Sequence, residues 1–302
     1  MLSTKLSGYC VAAVVVLNTT IGICASGADE ARELASQFEQ EVTRRLNVPA
    51  EEQEHYAQLL KSALDEARVS NVPPEFFLLV DRSPHVQAAM IEWKAPDGMF
   101  HLIGATPVST GRPGTYEHFV TPLGVYEHRV ANLDFRSKGT PNQFGIRGYG
   151  AEGMRIFDFG WVKAPKGWGD YGISRLRLQV HATDPDRLDR RLGTPQSEGC
   201  VRTTASFNVF LNSHGILDGD YDKVAAQGHT LSVLSPTREQ TPWSGRYLVV
   251  VDSGRQQKPV WARLRRPSRK QLAATSDAVH DADRVVVDEF FLTPWFPQIG
   301  AS

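Results

Sequence analysis

Two textures divide this chain, and the break between them limits the fold more than any other feature. Leu34, Phe38, Val42 and Leu46 recur every four residues across 29–47. Tyr56, Leu59, Leu60, Ala63, Leu64 and Ala67 then share one side of 50–69, with Asn47-Val48-Pro49 between the two stretches. Such stripes predict two amphipathic helices, a helical hairpin over 29–70 packed on a neighbour. Val72-Pro73-Pro74 ends the pattern, because proline lacks an amide donor and restricts the residue before it. Beyond it, apolar residues come in short runs closed by Gly and Pro turns, which predicts a mainly β body.

The runs give the expected elements. Phe76 to Val80 is apolar, and Gln87–Trp93 and Met99–Thr106 flank the turn Ala95-Pro96-Asp97-Gly98, predicting a β-hairpin. Thr121 to Tyr126 leads into a strand, Met154 to Phe159 is short and apolar, and Ile173 to Val180 alternates up to His181. Pro185 to Leu192 predicts a short helix. Thr203 or Thr204 can cap another that runs through Phe207, Phe210 and Leu211 to His214-Gly215. Thr230 to Leu234 predicts a closing strand. Residues 131–172 are rich in Gly and aromatics, Trp168 and Tyr171 among them. Long loops of this kind are often binding loops, and aromatic faces suit sugars and peptide backbones. After Pro236, Arg246–Asp252 and Pro259–Leu264 predict a hairpin in a β-rich extension over 237–302. A basic run from Arg263 to Lys270, a strand-like Arg284–Leu292 and the tail Trp295-Phe296-Pro297 follow.

The N-terminus predicts an export signal over 1–28. Lys5 precedes the apolar run Tyr9–Leu17, and Ser26-Gly27-Ala28 offers small residues for cleavage. An uncleaved anchor is the alternative, and either places the rest outside the cytoplasm, in the periplasm. Removing Lys5 from 33 basic residues against 34 acidic ones leaves a charge of −2, so no basic field argues for nucleic acid. Cys10 and Cys24 leave with the signal, and Cys200 remains as a lone thiol. Oxidising compartments disfavour idle thiols, and its polar neighbours Ser197, Glu198, Gly199 and Arg202 do not resemble an apolar core.

A thiol becomes a nucleophile when its proton is taken, and an imidazole is the usual acceptor. His181, at the end of an alternating run 19 residues before Cys200, is the candidate base. Its other nitrogen needs a partner; Asp184, Asp186 or a backbone carbonyl would serve. A helix starting just after Cys200 would add positive charge. Gly199 permits a sharp turn, and the amides of Gly199 and Cys200 can converge on an oxyanion. His181, Asp184 and Asp186 lack the second His or Cys pair of a zinc site, so neither metal nor cofactor is expected.

Four segments in this order resemble the exported L,D-transpeptidase catalytic domain of bacterial cell-wall synthesis, over roughly 74–236. Ser109-Thr110-Gly111 with Thr121-Pro122-Leu123-Gly124 resembles the family's strand entry. Val180-His181-Ala182 resembles its strand-borne histidine, and Leu192-Gly193-Thr194-Pro195 its leucine-glycine-x-proline run. Ser197-Glu198-Gly199-Cys200-Val201-Arg202 resembles its serine-histidine-glycine-cysteine motif with arginine two residues on. The resemblance implies a mixed β-sandwich or cradle over 71–236. It implies that Cys200 attacks the diaminopimelate carbonyl of a peptidoglycan stem peptide, releases D-alanine through a thioester, and passes the acyl group to an amine of a second stem. His181 would be the base, Gly199 and Cys200 the oxyanion hole, and Arg202 a carboxylate partner. Ser197, Glu198, Trp168 and Tyr171 would line the substrate site. Glu198 stands where the family has histidine, and orienting His181, binding an ammonium group and facing solvent all remain open for it.

The same Cys–His site serves a carboxypeptidase or amidase with water as acceptor, or a protein-to-wall transferase. A non-catalytic wall-binding module is the remaining class, and in it Cys200 would be dispensable. Sortase chemistry also places His before Cys, but its threonine-cysteine pair is missing here; papain-like order is the reverse.

Overall fold

The computed structural model describes residues 21–69 and 71–263. It is sheet-rich, with two sheets and four helices. Helix α1 spans Ile21–Glu41 and α2 spans Ala50–Glu66. Strands β1 (Phe76–Asp81), β2 (Ala88–Lys94) and β3 (Phe100–Pro107) follow as an antiparallel meander, and Gly98 turns the expected hairpin at φ +86°. Next come β4 (Gly124–Glu127), β5 (Phe135–Arg136), β6 (Arg155–Pro165), β7 (Ile173–Ala182) and β8 (Val201–Thr203). Helices α3 (Ala205–Ser213) and α4 (Gly219–Ala226) precede β9 (Tyr247–Val251). The first sheet has the order β3-β2-β1-β9-β4 and the second β5-β6-β7-β8.

The N-terminal helices do not form a hairpin. Alternate residues of a strand face opposite sides of a sheet, and α1 and α2 take opposite sides of the first one. Leu34, Phe38 and Val42 of α1 join Phe76, Leu78, Val80, Leu248 and Val250, in a core that the second sheet shares through Phe157, Leu178, Val180 and Val201. Tyr56, Leu60 and Leu64 of α2 join Phe77, Leu79, Met90, Tyr247 and Val249 on the other side. Helix α1 ends at Glu41 rather than 47, because Leu46 N–H donates to the Ala105 carbonyl at 2.8 Å and forms a bridge to β3.

The expected boundary at 236 does not hold either. Strand β9 lies inside the first sheet, parallel to β1 and antiparallel to β4. Its run Tyr247-Leu248-Val249-Val250-Val251 is buried throughout, as a strand covered on both faces must be. Pro259–Leu264 supplies a 3-10 turn over Val260–Ala262 instead of a partner strand, and 230–234 forms a turn. Residues 185–192 make only the 3-10 turn Asp189–Arg191. Strand β6 continues to Pro165, six residues past the expected end, and pairs with β7 across a bulge between Asp158 and Trp161. The expectations for residues 1–20, the strand Arg284–Leu292, the aromatic tail and most of the basic run lie outside the described residues. Among the described residues, no helix is long and apolar enough to cross a membrane.

Candidate active site

Strand β7 builds the site by alternation. Leu176, Leu178 and Val180 enter the shared core, so Arg175, Arg177, Gln179 and His181 take the opposite face. Strand β8 runs parallel beside it, with Val180 opposite Val201 and His181 opposite Arg202. Cys200 immediately precedes β8 and shares the face of Arg202. Residues 19 apart in sequence thus come to adjacent chain segments, with Cys200 two positions before the residue that faces His181, and the Cys200 thiol donates to the Arg177 carbonyl at 3.5 Å.

The loop that carries Cys200 is braced from both sides. Ser109 and Arg202 exchange two backbone hydrogen bonds of 2.9 Å, Ser197 N–H donates to Thr110 O, and Arg112 N–H donates to Ser197 O. His118 Nδ1 lies 3.0 Å from the same Ser197 carbonyl. Thr121 Oγ1 accepts from Gly111 N–H at 2.8 Å and donates to the Gly199 carbonyl at 2.7 Å. These contacts give a physical role to Ser109-Thr110-Gly111 and Thr121, which lie far from Cys200 in sequence. Gly199 has φ +129°, and a Cβ there would come within 2.9 Å of both Leu176 Cδ2 and Phe119 Cβ. Only glycine combines that backbone with that space.

His181 is 4% exposed, and its Nδ1 lies 2.8 Å from the Ala182 carbonyl. A carbonyl can only accept, so Nδ1 carries the proton and Nε2 is left with its lone pair. Among the described residues, no carboxylate hydrogen-bonds the ring. Asp184 instead accepts from Arg147, Asp186 and Arg187 backbone N–H groups and from the Arg147 guanidinium. Burial pushes the imidazole down to about 4; the Ala182 bond opposes this, and the Arg202 charge adds to it. Burial likewise pushes the Cys200 thiol up to about 11, against a backbone bond from Gln179 and the Arg202 charge. Cys200 as a whole is half-buried. At neutral pH the resting pair is therefore imidazole and thiol, not the ion pair that isolated side chains suggest.

The other expected residues divide. Ser197 is fully buried; its hydroxyl donates to Cys200 O and accepts from Gly199 N–H at 3.1 Å. It therefore ties the loop together and does not face a substrate. The same bond occupies the Gly199 amide, so of the two expected oxyanion donors only the Cys200 N–H remains. No helix starts directly after Cys200: β8 intervenes, and α3 begins at Ala205 behind the Thr204 cap. Arg202 spends Nη1 on the Gln196 carbonyl at 3.0 Å, and its Nη2 lies 4.0 Å from Glu198. Glu198 is 71% exposed and pairs with Arg202, so it does not orient His181. Trp168 packs edge-on against Phe119 at 4.9 Å, one residue layer from Gly199. Tyr171 is 65% exposed on the turn after Trp168 and makes no ring contact among the described residues.

Sequence reasoning counted Tyr149 among the aromatics of 131–172 without placing it in the site, and it missed Asp158. The Tyr149 ring lies 4.7 Å from His181, and its hydroxyl donates to Gln179 Oε1 at 3.3 Å. Its phenol is raised by burial and then by the nearby Cys200. Asp158 is buried at the β6 bulge and accepts from Arg177 Nε at 2.6 Å and Gln179 Nε2 at 2.9 Å. Tyr149 sits in an aperiodic loop, so nothing local marks it. The cross-strand register that joins Asp158 to Gln179 appears only once β6 and β7 pair. Among the described residues, no group of three or more His, Cys, Asp and Glu could hold a metal ion.

No protein-family model matches the chain, and neither does any curated protein. Among solved structures, the chain is similar to the helical cell shape determining protein Pgp2 (K307A mutant) from Campylobacter jejuni, at 11% identity and a TM-score of 0.25. The match covers 83% of this chain and 61% of that one. A likeness at that level fixes neither fold nor function.

Proposed function

We propose that this chain is a cysteine L,D-transpeptidase acting on peptidoglycan stem peptides, with the β-sandwich cradle of that family. One observation carries the reading: His181 on β7 and Cys200, the residue before the parallel strand β8, lie on one face, and the Ala182 carbonyl holds the imidazole so that Nε2 is its basic atom. His181 Nε2 takes the thiol proton as Cys200 attacks the diaminopimelate carbonyl carbon. The Cys200 N–H receives the developing oxyanion. Collapse expels the D-alanine amine, which takes its proton from His181, and leaves a thioester on Cys200. An amine of a second stem then attacks the thioester and gives its proton to His181, and the sulfur departs and recovers that proton. Because both groups rest neutral, proton transfer accompanies attack on bound substrate rather than preceding it. With residues 1–28 as an export signal, the site meets stem peptides in the periplasm.

Purified protein incubated with muropeptides, with products read by mass spectrometry, tests the reading. A thioester on Cys200 and a cross-linked dimer are expected, and both vanish in Cys200→Ala. Trimmed stems without dimers would make water the acceptor. Absence of any adduct across donors would overturn the enzymatic reading.

A further inference from the structure

The arginine best disposed to meet a substrate is Arg177, not Arg202. Asp158 is fully buried and bonded to Gly160 N–H, Gln179 Nε2 and Arg177 Nε at 2.8, 2.9 and 2.6 Å. Its hold on Nε fixes the plane of the guanidinium. The Arg177 side chain is still 45% exposed, and among the described residues neither of its Nη groups donates a hydrogen bond. An anchored guanidinium with both terminal nitrogens open is suited to bidentate binding of a carboxylate. An ordinary surface pair does not have its acid completely enclosed.

The position is continuous with the nucleophile, because the carbonyl of Arg177 itself accepts the Cys200 thiol. On the same outer face, Trp161 stands opposite Arg177, and Lys163 opposite Arg175. Trp161 is 60% exposed, and the Arg175 guanidinium lies 5.1 Å from its ring centre. Three cations and one exposed aromatic ring therefore extend from the sulfur along β6 and β7, and the acid bonded to this row among the described residues, Asp158, is buried beneath it. Arg202 offers less, since Gln196 O takes its Nη1, Glu198 lies 4.0 Å from its Nη2, and its Nε is enclosed without a partner among the described residues.

We propose that Arg177, held by Asp158, binds the glutamate carboxylate or the diaminopimelate side-chain carboxylate of the acyl-donor peptide near the scissile carbonyl and makes the site selective for acidic donors. The proposal rests on the transpeptidase reading for the identity of the donor, but the binding itself can be measured without catalysis. The probes are a synthetic stem tetrapeptide of alanine, glutamate, diaminopimelate and D-alanine, and two forms amidated at the glutamate carboxyl or at the diaminopimelate side-chain carboxyl. Calorimetric titration of Cys200→Ala protein should show one amidation weakening binding by about tenfold or more, as expected for loss of a charge-assisted pair. Adding Arg177→Gln should weaken the free acid equally and leave that amide unchanged; Arg177→Lys should keep part of the preference. Retained binding of the amide shows that the variant is folded. Equal affinities for acid and both amides, or a preference that survives Arg177→Gln, would overturn the proposal. If the preference is found but wild-type protein forms no thioester, the carboxylate site stands and the transpeptidase reading falls. If wild type and Arg177→Gln form thioester equally well from acid and amides, the carboxylate site falls and the transpeptidase reading stands.

Discussion

The imidazole of His181 is held by its own chain neighbour: Nδ1 donates to the carbonyl of Ala182 at 2.8 Å. A neutral carbonyl fixes the tautomer without the stabilisation that a carboxylate would give to the charged ring. Combined with burial, this leaves the imidazole a weak base at rest.

Alkylation of Cys200 reports that state directly. With the thiol up at about 11 and the imidazole down at about 4, the rate with iodoacetamide should be low at pH 7. It should climb about tenfold per pH unit through pH 8–10. His181→Ala should change the neutral rate by less than about threefold. A plateau between pH 5 and 8 that disappears in His181→Ala would show a resting ion pair instead.

Tyr149 covers one side of that ring. Removing it in Tyr149→Ala admits water to the imidazole, so the His181 titration should move upward from about 4 toward the ordinary histidine value. Tyr149→Phe keeps the ring and should leave the titration near its wild-type position. NMR of labelled imidazole distinguishes the two, and identical titrations in all three proteins would remove Tyr149 from the account.

The Thr121 hydroxyl serves two backbone groups of the active loop, Gly111 N–H and Gly199 O. Thr121→Val preserves shape but leaves both buried without partners, at a cost of about 1–3 kcal/mol for each unsatisfied group. Urea unfolding should show the loss, and thioester formation should fall further because the oxyanion donor moves with the loop. Unchanged turnover would mean that the loop is set by its other bonds.

Glu92 lies buried in β2 on the side covered by α2; its Oε1 has no partner among the described residues, and burial pushes the carboxyl up to about 8. Its native value therefore exceeds the unfolded one. Between about pH 4.5 and 8 the native state holds the extra proton, so stability falls as pH rises, by up to about 1.4 kcal/mol per unit. Glu92→Gln should melt higher than wild type at pH 8, and the gain should shrink at pH 5. A gain independent of pH would show that the carboxyl ionises freely.

Local pattern revealed much of the fold. The Pro73-Pro74 break, the hairpin at Gly98 and the alternation that ends at His181 all depend on residues close in sequence. Strand β9 was legible as a strand but not as the neighbour of β1, because Phe77 and Tyr247 are 170 residues apart and parallel pairing leaves no turn between them. The two N-terminal helices were legible for the same local reason, but their stripes do not say which face of a sheet each covers.

For the site, the sequence alone determined the reactive residue types, the alternation that ends at His181, and the glycine that the turn before Cys200 demands. The tertiary structure decided what those residues can do. The β7–β8 register brings sulfur and imidazole to one face, the Ser197 hydroxyl takes the Gly199 amide out of use, and Asp158 fixes the direction of Arg177. Burial decides that His181 and Cys200 rest uncharged. The physical reason is that side-chain identity and strand parity are local, whereas hydrogen-bond partners and desolvation come from segments that meet only on folding.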